Sequence, residues 1–169
     1  PQGVLSIEET RRSKTNIPVR PQSFRGRSSE IWQIINELLE NRLVTITGAG
    51  GIGKTKIAIE VARWFSVRGH FPDGVFLLNL QEATVASRIM DLIGTCVDKQ
   101  LAEVKDVIEC LRDRHLLLLL DNAEDVLWND EREAQNLINE ILKFVPNSKI
   151  LLTSQRAIGG NLYEPERVC

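Results

Sequence analysis

The chain has 169 residues, 43% of them hydrophobic, which suits one globular domain with a sheet covered on both faces and is too short for two comfortable ones. Lysine and arginine total 21 against 23 acidic residues, a net charge of -2, so no global field draws the protein to nucleic acid or to an anionic membrane. Cys96, Cys110 and Cys169 show no C-x-x-C spacing, no run reaches the roughly 18 apolar residues of a membrane span, and the N-terminus lacks the order of a signal peptide; this argues against a disulfide framework, a structural zinc site or a membrane anchor, and for a reducing, cytoplasmic setting.

Residues 1–23 mix Pro, Ser, Thr, Arg and Gln without periodicity and read as a linker or tail, which leaves 24–169 as the folded domain. Ile31, Ile34, Ile35, Leu38 and Leu39 recur at helical spacing behind Ser28 and Ser29 as N-cap candidates, predicting a helix over about 29–41. The β-branched run 43–47 predicts a strand buried on both faces, followed by a glycine loop and a helix over about 53–67. "RGHFPDG" breaks that pattern. A second strand is expected at 75–80, one or two helices over 84–114, and a third strand, "LLLLLD", ending at Asp121. A helix over about 131–144 and a strand at 149–153 complete an alternation that requires parallel pairing with right-handed crossovers, a three-layer α/β sandwich.

The segment "GAGGIGKT", Gly48 to Thr55, satisfies G-x-x-x-x-G-K-S/T between a strand and a helix. Glycines let the backbone turn its N–H groups inward as an anion-holding nest, and the helix behind it adds a partial positive charge. Gly48, Ala49, Gly50, Gly51, Ile52, Gly53, Lys54, Thr55 and the following Lys56 are therefore the candidate nucleotide-binding stretch. Lys54 has the reach for the β- and γ-phosphates, and the Thr55 hydroxyl can ligate Mg²⁺. A Mg²⁺-nucleotide also needs a carboxylate at the end of a neighbouring strand, and Asp121 stands there.

Glu124 and Asp125, just beyond Asp121, are the candidates to position an attacking water, whereas Asn122 can only orient water or a backbone group. At the tip of the last strand a γ-phosphate is within reach of Thr153 or Ser154 by hydrogen bond or of Arg156 by charge. Lys54, Glu124, Asp125 and Arg156 form the candidate catalytic set. The chain has no N-K-x-D motif, so adenine is favoured over guanine and the expected ligands are ATP or ADP with Mg²⁺.

With these residues in place, the stretch from about 18 to 165 resembles the nucleotide-binding domain of STAND-class P-loop ATPases, in particular the NB-ARC-like domains of bacterial regulators related to immune and apoptotic switches. The resemblance rests on "SFRGRSSEIWQIINELLENRLVTITGAGGIGKTKIAIEVA", "FPDGVFLLNL", "LLLLLDNAEDVL" and "SKILLTSQR". It implies a sheet of the type with an additional strand between the two nucleotide-binding strands. It also implies that Phe24, Arg25, Gly26 and Arg27 close over the adenine and ribose, although Arg25 departs from the apolar preference of that motif. Relatives end the strand after the metal site in T-S/T-R, whereas here Gln155 intervenes before Arg156, and Asn122 stands where many carry a second acid. The lid and winged-helix domains of relatives are not expected here, and the sequence stops about where a fifth strand should begin.

By that resemblance the domain is an ATP/ADP switch with slow Mg²⁺-dependent hydrolysis as its reset. Self-association in the full-length protein and contacts with other domains of the parent chain are implied, with no direct nucleic-acid partner and no membrane. A rapid-turnover P-loop ATPase or kinase and a non-hydrolysing interaction module remain the alternatives.

Overall fold

A computed structural model describes residues 14–19, 26–157 and 167–168. In chain order the elements are α1 (Ser28–Glu40), β1 (Leu43–Thr47), α2 (Lys54–Arg68), β2 (Gly74–Asn79), α3 (Ser87–Val97), α4 (Val104–Leu111), β3 (Leu116–Asp121), α5 (Glu124–Asn129), α6 (Glu131–Phe144), β4 (Lys149–Ser154) and β5 (Arg167–Val168). The strands form one parallel sheet in the order β2-β3-β4-β1-β5. β4 therefore lies between β1, which leads into the glycine loop, and β3, which ends in Asp121, as the additional-strand class requires.

The leucine run of β3 shows why the sheet must be covered on both faces. Leu116, Leu118 and Leu120 pack into one core with α3, α4, α5 and α6, while Leu117 and Leu119 pack into a second core with α1 and α2. A strand with period two that is apolar at every position has no solvent face to offer, so helices must close both sides.

Local details decide what the sequence left open and correct one expectation, the caps of α1. The stretch 84–114 divides into two helices because Asp98 turns left-handed at φ 57° and Glu103 with Asp106 forms a capping box that starts α4 afresh. Ser28 and Ser29 are not caps: α1 starts at Ser28 behind Arg27, which is left-handed at φ 59° and makes no side-chain cap bond. A fifth strand is present as β5, pairing with β1 through Thr45 and Ile46.

The expectation of a structureless tail over 1–23 is corrected for residues 14–19. β2 is an edge strand, and an edge exposes backbone groups that need partners. Val75 N donates to Lys14 O at 2.9 Å, and the Thr15 hydroxyl donates to Val75 O at 2.6 Å. The Asn16 amide then reads Leu77 as a peptide would, accepting from its N–H at 2.7 Å and donating to its carbonyl at 2.9 Å. Ile17 enters the α1–α2 core, and Arg63 of α2 donates to Pro18 O. Such a strap has no periodicity to betray it, because side-chain amides and hydroxyls make most of its bonds.

Among the described residues no helix is long and apolar enough to cross a membrane. One part-buried fastening joins the start of β1 to the end of α6 and the turn after it. Arg42, the residue before β1, donates to the carbonyls of Leu142, Val145 and Ser148, which close the C-terminal end of α6. Removing a charged donor shared by several carbonyls costs the bonds and leaves acceptors unmet. Arg42→Ala is expected to lower stability by about 2 kcal/mol, seen as a lower urea midpoint at unchanged slope.

Candidate nucleotide site

The loop between β1 and α2 is built to turn its backbone inward: Gly48, Gly51 and Gly53 carry φ of +155°, +80° and +89°, conformations that side chains rarely adopt. Ala49 to Ile52 are exposed at its surface. Gly53 caps α2 without any side-chain bond, and the first turn of α2 holds no acidic residue, only Lys54, Thr55 and Lys56. No acid of the helix's own first turn therefore offsets the partial positive charge of the helix end.

Lys54 is 6% exposed, and its ammonium donates to Gly48 O at 2.7 Å and Ala49 O at 2.8 Å. Both acceptors are neutral backbone carbonyls. A buried cation of this kind is costly unless an anion completes it. Loop, helix end and lysine together form a site for a phosphate group.

Asp121, 3% exposed at the end of β3, is the acidic counterpart. The Thr55 hydroxyl lies 2.9 and 3.0 Å from its two oxygens, the Thr153 hydroxyl donates to Oδ1 at 2.6 Å, and Asn122 Nδ2 donates to Oδ2 at 3.1 Å. Asn122 is left-handed at φ 58°, which asparagine tolerates better than most residues, and its N–H donates to the Thr153 hydroxyl at 3.0 Å. Thr153 thus serves the metal-strand carboxylate and the turn behind it, although from sequence it is one of several candidates for contact with a γ-phosphate.

The donor set fits Mg²⁺. Among the described residues no three His, Cys, Asp or Glu side chains gather as a metal cage. Mg²⁺ does not need one, because it keeps waters and takes phosphate oxygens, and one carboxylate beside one hydroxyl is the usual protein share.

The other sequence candidates divide. Arg27 is brought to the loop: a methyl group added at Gly53 would sit 4.0 Å from its Nη1, while its Nε lies 3.5 Å from Glu30. Phe24 and Arg25 lie outside the described residues. Glu124 opens α5, and its carboxylate accepts from Gln155 N at 3.3 Å. It lines a cavity of about 260 Å³ with Leu127, Trp128, Glu131, Ser154 and Arg156. Asp125 and Lys56 are exposed, and among the described residues no side-chain bond ties either to the loop.

Arg156 lies against α5, with its guanidinium 5.0 Å from the centre of the Trp128 ring. Trp128 is 71% exposed and carried no signal in the sequence. Gln155 and Arg156 lie in a bend past the end of β4, where Arg156 N turns back to the Ser154 hydroxyl, so the alternation of the strand does not set their facing.

Comparison with known proteins adds family and fold. The NACHT domain model matches residues 42–164, within the STAND class of P-loop NTPases that the sequence resembles. An uncharacterized protein of Mycobacterium tuberculosis is 30% identical over 141 residues, covering 81% of this chain and 34% of that protein. Regulatory protein AfsR of Streptomyces griseus is 30% identical over 159 residues, covering 82% of this chain and 15% of that protein. Among solved structures, Cdc6p from Pyrobaculum aerophilum superposes with a TM-score of 0.65 at 15% identity, over 80% of this chain and 40% of that one, a likeness of fold. The chain therefore spans about a third or less of the two curated relatives.

The Thr153 hydroxyl joins two structures, so its loss should register in stability even without ligand. Thr153→Val, which keeps the shape and removes both bonds, is expected to cost about 1–3 kcal/mol in chemical denaturation. A loss below a few tenths would show that the Asp121 cluster does not depend on it.

Proposed function

This chain belongs to the NACHT domain family of nucleotide-binding P-loop NTPases, and from that premise we propose that it is the ATP/ADP-binding switch domain of a larger STAND signalling ATPase, with NB-ARC-like behaviour and slow Mg²⁺-dependent hydrolysis as its reset. The observation that carries the reading is the buried Lys54 ammonium, which donates to two loop carbonyls, beside a helix end with no acid in its first turn. That arrangement calls for a polyanion. The lack of an N-K-x-D motif favours adenine as its base.

In this reading the loop amides from Gly48 to Gly53 and the Lys54 ammonium hold the phosphates, and Arg27 approaches from α1. Thr55 and Asp121 hold the metal, which when bound supplies positive charge at the phosphate oxygens. Glu124, 3.3 Å from Gln155 N and lining the cavity beside β4, orients the attacking water. A base tethered to a backbone N–H is partly committed elsewhere, which supports slow turnover. AfsR is a regulatory protein by name, and this chain spans a small part of it, so the signal, the effector, self-association and the cytoplasmic setting belong to the parent protein as proposals.

Titration of ADP and ATP into nucleotide-stripped protein, with and without Mg²⁺, tests the reading. Lys54→Ala is expected to weaken both nucleotides on the order of a hundredfold, as loss of a buried charge-assisted contact of roughly 3 kcal/mol implies. Retained affinity in that variant would reject the phosphate site. Asp121→Asn should remove only the gain that Mg²⁺ brings. Turnover of many ATP per second by the wild-type chain would instead favour a rapid ATPase or kinase.

A further inference from the structure

Among the described residues β2 is a terminal strand of the sheet, and its outer edge is met by side chains more than by backbone. In a parallel ladder the residues of a strand turn alternately to one neighbour and the other. Leu80 N donates inward to Asp121 O, so Val75, Leu77 and Asn79 turn their N–H and C=O groups outward. The strap meets Val75 and Leu77 with four bonds, of which only Val75 N to Lys14 O joins backbone to backbone. The Thr15 hydroxyl and the Asn16 amide make the others. Ile17 N then donates to the Thr15 hydroxyl at 3.0 Å, a turn that takes the chain off the edge and sends Ile17 into the core beside α1 and α2.

Within β2 itself nothing discourages pairing. Edge strands are ordinarily blunted by a charge, a proline or a bulge. Gly74–Asn79 holds no charged residue and no proline, and it pairs with β3 residue for residue without a bulge. Both of its faces are apolar, Val75 and Leu77 on the side of α1 and α2, Phe76 and Leu78 on the other. Such an edge fits an extended backbone with apolar flanks, and β2 of a second copy presents both. Antiparallel pairing with Leu77 opposite Leu77 and Val75 opposite Asn79 would match each outward N–H to a C=O about a two-fold axis and bring no like charges together.

We propose that residues 14–17 guard a self-association edge: the docked strap keeps the chain monomeric, and its release lets two copies join through β2 into one continuous sheet. The strap prevails because it is tethered, which gives it an effective concentration on the order of millimolar that a second copy in solution does not reach. Its edge bonds run mainly through two exposed residues, Thr15 and Asn16, and its release breaks no bond between β2 and β3. The inference names a surface for the self-association proposed above and does not depend on the nucleotide site.

Light scattering of the full chain across about 1 to 100 μM tests it. The wild type is expected to stay monomeric. Thr15→Val combined with Asn16→Ala, which removes every side-chain bond from strap to edge, is expected to dimerise within that range, at least about tenfold more tightly than the wild type. Asn16→Asp keeps the acceptor but sets a negative charge against the Leu77 carbonyl, so it should shift the equilibrium the same way and serves if the double variant does not fold. In the dimer the Val75 and Leu77 N–H groups should stay protected from hydrogen exchange although the strap has gone. Adding Leu77→Lys, whose part-buried side chain can carry its ammonium to solvent, should restore the monomer. Strap variants that stay monomeric, a dimer whose β2 amides exchange freely, or one that Leu77→Lys leaves intact would each overturn the proposal and leave the nucleotide reading standing. A wild type that dimerises as tightly as the variants would overturn it too.

Discussion

The buried carboxylate of Asp121 is the constraint on which the rest of the site depends. An ionised group at 3% exposure is tolerable only when its oxygens are met by donors. Those donors come from three places: Thr55 in the first turn of α2, Thr153 near the end of β4, and Asn122 in the turn that follows Asp121 itself. Satisfying one charge therefore fixes how the phosphate loop, the central strand and the metal strand meet. The left-handed turn at Asn122 belongs to the same arrangement, because its N–H reaches back to the Thr153 hydroxyl.

That fastening makes the site largely preformed. β1 and β4 are in register from Leu43 with Ile150 to Thr47 with Ser154, and Gly48 N donates to Ser154 O at 3.3 Å where the loop departs. The loop thus leaves the sheet at a fixed point, with Lys54 already folded back on the carbonyls of Gly48 and Ala49. A ligand meeting such a site spends less of its interaction on ordering the protein. Arg42 and the strap over β2 add polar ties at a distance, the first between β1 and the end of α6 and the second between the β2 edge and α2.

Most of the fold was legible because burial leaves strong periodic traces. The β-branched run of β1, the leucine run of β3 and the amphipathic spacing of α1 and α6 state their structure in apolar positions, and the parallel order followed from strands alternating with helices. The phosphate loop, Thr55 and Asp121 were legible because their chemistry demands fixed residue types at fixed spacing. What escaped was built from polar side chains acting as substitutes for backbone. Lys14 to Ile17 pair with β2 through a hydroxyl and an amide, and α5 is too short at Glu124–Asn129 to show a period. Gln155 and Arg156 lie in a bend past the end of β4, beyond the reach of the strand's alternation, and the family pattern drew attention to the arginine.

Reversing a two-state equilibrium from about 1:99 to 99:1 needs a preference near ten-thousandfold between the states. Under the proposed switch reading, contacts made from elsewhere in a longer protein would share that load with the nucleotide; about two thirds or more of the two curated relatives lies outside the matched region. Trp128, 71% exposed with Arg156 over its ring, lies on the wall of the cavity that Glu124 also lines. A contact made there by another domain would reach the carboxylate proposed to orient water, so under that reading ligand state and domain contact would act on the same few residues and need no longer path between them.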